Sequence, residues 1–316
     1  MVGLLESRGQ RKLHLAVGER ILNAIQDPHV IEILLNEDGR LWVEFLNGGM
    51  GVVGDMSAID GMSLLSTVAA SLNTVVTPLS PVVEGELDMG ELRFEGLIPP
   101  VVRAPVFSIR KHAVKPLLLS DYAADETLLS YQCKAIEFAV ERRSNILVSG
   151  GTSSGKTTFA RCLLYEIAER TPEHRIITIE DTPELNTPSE NSVSLKVSPG
   201  ATAQELLRAT MRLRPDRIVV GEVRGGEALT LLKAWNTGHP GGVSTIHANS
   251  ARGALTRLEQ LVAEVSASPI PHVIADAVDL IVHLERSPLD GVRRVVEVVS
   301  VEGYSDGEYL INPIKE

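Results

Sequence analysis

Cysteine is scarce: Cys133 and Cys162 are the two in a chain of 316 residues. Two cysteines cannot supply a four-cysteine metal module, and nothing in their placing suggests a disulfide scaffold. A reducing compartment follows, with both thiols read as small buried apolar residues. Basic residues are also outnumbered, 30 Lys and Arg against 41 Asp and Glu, for a formal charge of -11. That balance excludes a broad basic surface, so direct DNA binding is not expected. No apolar run approaches the ~20 residues needed to cross a bilayer. Around Glu6, Arg8, Arg11 and Lys12 the N-terminus lacks the apolar core of a signal peptide, which points to a cytoplasmic protein. Repeats and low-complexity segments are missing as well. What remains is 44% hydrophobic residues, ample for buried cores in one large domain or two of ordinary size.

Read in order, the first part of the chain predicts a compact α+β domain over residues 1–112. Leu13 to Ile25 has helical apolar spacing. Ile31 to Leu35 and Leu41 to Phe45 predict strands around the turn Asn36-Glu37-Asp38-Gly39. Ile59 to Leu72 predicts an amphipathic helix, and Glu91 to Leu97 and Val106 to Ile109 further strands. Residues 113–125, with Pro116 and the small and polar run Ser120 to Asp125, read as a linker. Residues 126–316 alternate strand and helix, beginning with a helix over Glu126 to Arg143. Arg175 to Ile179, Ile218 to Val220 and Gly242 to Ile246 are the strands; Ala203 to Met211, Gly226 to Trp235 and Ala251 to Val265 are the helices. That alternation implies a mainly parallel sheet, helix-covered, with its ligand at the strand C-termini.

One stretch organises the chain. Asn145 to Thr158 reads N-I-L-V-S-G-G-T-S-S-G-K-T-T, an apolar strand, a glycine-rich turn and the start of a helix. Gly150, Gly151, Thr152, Ser153, Ser154, Gly155, Lys156, Thr157 and Thr158 complete the phosphate-loop pattern in its required setting. Glycines let successive N–H groups turn inward to a phosphate chain, and the helix start adds its unpaired N–H groups. Lys156 can reach the outer phosphates, and the Thr157 hydroxyl can join a magnesium shell. An ordinary glycine-rich connection would not need the full pattern between a strand and a helix.

Four clusters accompany it. Arg217 to Glu222, R-I-V-V-G-E, is an apolar strand delivering Glu222 where an acid can orient a metal-bound water; strands ending in a surface acid are common, so alone it is weak. Ile177 to Leu185, I-T-I-E-D-T-P-E-L, places Glu180, Asp181 and Glu184 after another strand, as a solvated acidic loop or as groups that polarise water. Thr237 to Ser250 carries His239 and His247 around a glycine-rich turn and a short strand. A lone histidine is usually structural; two in this frame favour sensing phosphate charge, and too few ligands are near for zinc. Arg93, Arg103, Arg110 and Lys111 are ordinarily solvent-exposed, and acquire a use if their domain meets a nucleotide.

The four boxes G-G-T-S-S-G-K-T, T-I-E-D-T-P-E-L, R-I-V-V-G-E-V-R-G-G-E and T-G-H-P-G-G-V-S-T-I-H-A, in that order, resemble the secretion-traffic ATPases of type II and type IV secretion, type IV pili and conjugation. The match spans Arg93 to Ser250 and looks most like the conjugative-transfer, TrbB-type branch of type IV secretion. The resemblance implies a RecA-like P-loop NTPase C-terminal domain with a smaller N-terminal domain hinged over it, a hexameric ring, and ATP and Mg2+ as cofactors. It implies Lys156 and Thr157 on phosphate and magnesium, with Glu222 and Asp181 as further metal-side acids. Glu184 would activate water, supported by Glu180, and His247 would sit near the terminal phosphate. Arg93 and Arg110 would reach the phosphates from the N-terminal domain. The implied role is an ATP-hydrolysing motor energising pilus assembly or substrate transfer, peripheral at the cytoplasmic face of the inner membrane, with secretion-channel and coupling proteins as partners. Absence of the four-cysteine module, of extra N-terminal domains and of the A-I-R-N-L-I-R-E stretch favours the conjugation branch over a type II secretion or type IV pilus ATPase. A nucleotide-gated docking module with negligible turnover is the alternative from another class. A DNA motor is opposed by the acidic balance, and a small-molecule kinase by the want of an acceptor lid.

Overall fold

A computed structural model describes residues 8–46, 49–87, 92–111 and 117–316. The chain divides into two compact units, residues 1–115 and 116–316. The start of the stretch read as a linker, residues 113–116, lies outside the described residues.

In the first unit, helix α1 (Arg8–Gln26) bends at Gly18, whose φ of 76° only glycine adopts freely. Strands β1 (Val30–Leu35), β2 (Arg40–Phe45) and β3 (Met50–Asp55) form a meander. The expected Asn36–Gly39 turn joins the first two, and Gly39 (φ 81°) donates its N–H to the Asn36 carbonyl at 2.9 Å. Helix α2 (Ala58–Ser71) follows, started by Ser57, whose hydroxyl accepts the Asp60 N–H. Strands β4 (Val82–Leu87), β5 (Leu92–Leu97) and β6 (Val106–Lys111) complete a six-stranded antiparallel sheet ordered β3-β2-β1-β6-β5-β4. Ile33, Val43, Phe94 and Ile109 are fully buried in one core with Leu64, Leu65 and Val68 of α2. Strand alternation turns Arg93 and Arg110 to the other face, where they are exposed and directly opposite each other in register.

The second unit opens with α3 (Leu119–Ala124), a short helix in the stretch read as linker. The Asp121 carboxylate accepts the Leu118 N–H at 2.8 Å, Leu119 is buried, and Tyr122 meets the Phe159 ring edge-on. Its small and polar residues hid it, because a single turn offers no periodicity to read. Helix α4 (Ser130–Glu141) begins later than the expected Glu126, since Glu126 has φ 55° and the Gln132 side chain accepts the Leu129 N–H.

Then come β7 (Ile146–Gly150), α5 (Lys156–Arg170), β8 (Ile176–Glu180) and β9 (Ser192–Lys196). Next are α6 (Ala203–Thr210), capped by Thr202 as expected, β10 (Arg217–Val220), α7 (Glu227–Asn236) and β11 (Val243–His247). Helices α8 (Ala251–Ala263) and α9 (Pro271–Ala277) and strands β12 (Leu280–Arg286), β13 (Arg293–Ser305) and β14 (Glu308–Pro313) close the unit. The eight strands run β14-β13-β12-β7-β11-β10-β8-β9, parallel from β12 to β9 and antiparallel at β13 and β14. Ile146 and Val148 point into a core with α4 and α5, and Leu147 between them into a second core with α7, α8 and α9. Both faces of the parallel strands are thereby buried, which explains their continuous apolar runs.

Candidate functional site

Parallel strands share one C-terminal edge, and the four boxes end there. Gly150 ends β7 opposite His247 of β11, Glu180 ends β8, and Glu222 lies two residues beyond β10. Open α/β sheets gather their ligands at this edge.

The phosphate loop depends on its glycines at two points. A Cβ on Gly150 would lie 2.4 Å from both the Leu284 carbonyl and the Ser154 hydroxyl. Gly155 has φ 95° as it opens α5. No side chain caps that helix, so its first N–H groups remain for a ligand. The Ser154 hydroxyl is buried without a hydrogen-bond partner. Gly151, Thr152 and Ser153 are exposed, while Thr157 and Thr158 are half-buried in the first turn of α5.

Lys156 is 7% exposed, with Nζ donating to the Gly151 carbonyl at 2.9 Å and lying 3.3 Å from His247 Nδ1. Burial pushes its ammonium below the usual lysine range, while the Glu222 charge opposes that shift. On the other side of the ring, His247 Nε2 stands 2.9 Å from Glu222 Oε1. Burial, then the Lys156 charge, hold His247 below its ordinary value, with the Glu222 charge opposing. Nδ1 is placed to accept from Lys156, while Glu222 Oε1, beside Nε2, is buried without a hydrogen-bond partner.

The acids divide by role. Glu180 is 6% exposed, and Oε1 accepts the N–H groups of Glu184 and Leu185, each at 2.9 Å. It folds the turn that carries Glu184, which is half-buried. A Cβ on Gly221 would come 2.9 Å from Glu180 Cγ, so glycine there lets the two acid-bearing loops approach. Asp181 is exposed and pairs with Arg224 Nη1 at 3.1 Å, while Arg224 Nη2 donates to Glu222 at 2.6 Å.

Lys156, His247, Glu222 and Arg224 with Asp181 therefore form one chain of contacts. Arg224 belongs to the R-I-V-V-G-E-V-R-G-G-E box, and its sequence signal is a cation two residues beyond the acid. Two further residues beside the loop gave none. Arg293 Nε donates to the Ser153 carbonyl at 3.0 Å, and His283 Nδ1 lies 2.8 Å from the Ser149 hydroxyl. His239 does not join the site. It precedes β11 while His247 ends it, so the strand separates the two histidines by its whole length, roughly 15 Å. Arg93 and Arg110 belong to the first unit, adjacent on β5 and β6. The two thiols are buried, and Cys133 is pushed up to about 11 by burial and then Glu137, so neither is a nucleophile at neutral pH.

The family described as Type II/IV secretion system protein matches residues 90–299. Among known proteins, the chain is 48% identical over 301 residues to the "Probable conjugal transfer protein TrbB" of Sinorhizobium fredii, covering 95% of this chain and 92% of that one. Among solved structures it resembles the VirB11 ATPase of the Brucella suis type IV secretion system, in complex with sulphate (27% identity, TM-score 0.50, 93% of this chain and 95% of that one). It shares its fold with the pilus retraction motor PilT (20% identity, TM-score 0.69, 91% of this chain and 83% of that one). Among the described residues, no helix is long and apolar enough to cross a membrane.

Proposed function

Because the chain belongs to the Type II/IV secretion system protein family, we propose that it is the ATP-hydrolysing motor of a conjugative, type IV secretion-type transfer system. The observation that carries the reading is the contact chain from Lys156 through His247 to Glu222 beside a phosphate loop built for an anion.

The chemistry follows from the donors. Loop amides and the first turn of α5 take the phosphate chain, and Lys156 Nζ moves from the Gly151 carbonyl to the outer phosphate oxygens. The Thr157 hydroxyl and the Glu222 and Asp181 carboxylates are hard oxygen donors that fit magnesium, an ion that takes its remaining ligands from phosphate and water. When bound, magnesium neutralises charge across the outer phosphates. Glu184 accepts a proton from the attacking water, whose oxygen bonds to the terminal phosphorus. The bond to the bridging oxygen breaks, and ADP departs with its electron pair. Glu180 keeps Glu184 in place, and His247 faces the terminal phosphate.

In this reading the working form is a hexameric ring at the cytoplasmic face of the inner membrane. It acts on channel and coupling proteins of the transfer apparatus, and nucleotide drives movement through its different affinity for two domain arrangements. Steady-state phosphate release by the purified chain tests the enzyme: Lys156→Ala abolishes it. Wild-type turnover in that variant would overturn the assignment, and negligible turnover in the wild type would leave a nucleotide-gated docking module. Mass photometry with and without nucleotide tests the ring, which a strictly monomeric species under all conditions would rule out.

A further inference from the structure

The hairpin formed by β12 and β13 lies beyond the last of the four boxes, yet it grips the phosphate loop at both ends. At the loop's base, the buried His283 side chain holds the Ser149 hydroxyl, and the Leu284 carbonyl closes against Gly150. At its crown, Arg293 Nε donates to the Ser153 carbonyl at 3.0 Å. The arginine stem runs alongside Gly155, where a Cβ would meet Arg293 Cδ at 3.1 Å. Ser153 has φ 60°, a left-handed conformation that serine adopts only at a cost. The loop thus places two left-handed residues, Ser153 and Gly155, around Ser154, and Arg293 bonds the one that is not glycine.

The hairpin is itself well anchored. Arg294 Nη2 bonds Asp290 at 2.8 Å, Arg286 Nε donates to the Gly291 carbonyl at 3.2 Å, and Val295 donates its N–H to the Thr127 carbonyl at 2.9 Å. A donor on so fixed an element can hold a neighbouring loop in shape.

We infer that Arg293 is a positioning residue that holds the phosphate loop in its ligand-binding form and thereby raises affinity for the phosphate chain of a nucleoside di- or triphosphate. A loop that must be ordered on binding pays that ordering from its affinity; one already ordered does not. The loop contacts phosphate in the ground state and the transition state alike, so the effect falls on binding rather than on turnover. The inference rests on the nucleotide-binding reading above.

The test is a titration of the full chain with a fluorescent ADP analogue, alongside steady-state hydrolysis and thermal melting without nucleotide. Arg293→Ala is expected to raise Kd about 5–20-fold while kcat changes less than about threefold and the melting point holds. Arg293→Gln sets its amide nitrogen where Nε stands, without the charge, and is expected to keep Kd within about threefold of wild type. In a Ser153→Gly background, where the left-handed residue is free of strain, Arg293→Ala is expected to cost under about threefold. Three results would overturn the inference: Arg293→Ala binding within twofold of wild type, Arg293→Gln failing as badly as Ala, or an undiminished penalty beside Ser153→Gly. The last two would mean that the arginine charge acts on the nucleotide itself. Failure of the wild type to bind the analogue any better than Lys156→Ala would instead remove the nucleotide reading, and this inference with it.

Discussion

His247 Nε2 stands 2.9 Å from Glu222 Oε1, while Nδ1 of the same ring lies 3.3 Å from Lys156 Nζ. The histidine therefore links the cation expected on phosphate to the acid expected on metal. His247→Ala should lower kcat about 10²-fold, the scale of losing one transition-state donor, with ADP binding changed only a few-fold. Hydrolysis and ADP titration on the same preparation check this. An equal loss of binding would place His247 in ground-state recognition instead.

Glu180 and Glu184 separate by burial. Glu180 accepts two backbone N–H groups with one oxygen, so Glu180→Ala strands both and should cost about 2–3 kcal/mol in stability along with activity. Glu184→Gln should bind ATP, melt as wild type and lose turnover. Calorimetry and phosphate release on both variants decide the matter. Normal hydrolysis by Glu184→Gln, with none by Glu180→Gln, would move the base to Glu180.

Stability should fall in mild acid through His174. Its Nδ1 accepts from Nε of Arg217, which is fully buried and also donates to the Gly241 and Val140 carbonyls. Burial, then the Arg217 and Arg143 charges, hold His174 below its usual 6.5, with Glu173 and Asp216 opposing. The unfolded chain thus binds the proton more readily than the folded one. The stabilising contribution is complete above about pH 6.5 and is lost as pH falls toward the lowered folded value. His174→Asn keeps an acceptor but does not titrate. Between about pH 7.5 and 5.5 the wild type should lose about 2–4 °C more in melting point than this variant. Parallel curves would exclude His174 as the group responsible.

What the sequence disclosed and what it withheld have physical causes. The parallel sheet was legible because buried strands are continuous apolar runs, and the phosphate loop because its glycines and Lys156 sit at fixed spacing. The site's centre was legible for the same reason: each box ends a strand, and parallel strands end together. Hidden were β3, where Gly51 and Gly54 interrupt the alternation, and α3, which is too short for a period. Beyond residue 265 no strand was anticipated, so β12 and β13 and their Arg293 and His283 went unnoticed. Their contacts with the loop join positions 134 and 140 residues apart, which no local pattern can announce. His239 erred in the opposite direction: nearness in sequence concealed the length of a strand between it and His247.

Asn145 ties the starts of the strands whose far ends form the site. It is 3% exposed; Oδ1 accepts the Gly241 and Gly242 N–H groups at 2.8 and 3.0 Å, and Nδ2 donates to the Ala277 carbonyl at 2.8 Å. Its own N–H donates to Asp279 at 2.7 Å. One side chain thus joins the entries of β7, β11 and β12. Alanine would keep the backbone bond and leave two donors and one acceptor buried and unpaired. Asn145→Ala should cost about 2–4 kcal/mol, lowering the melting point by about 6–12 °C for a unit of this size. The side chain lies at the opposite edge from Lys156 and Glu222, so kcat well below the melting range should stay within about threefold of wild type. Melting curves and hydrolysis rates on one sample check both halves. A large fall in kcat with an unchanged melting point would mean that Asn145 governs the geometry of the strand ends rather than their stability.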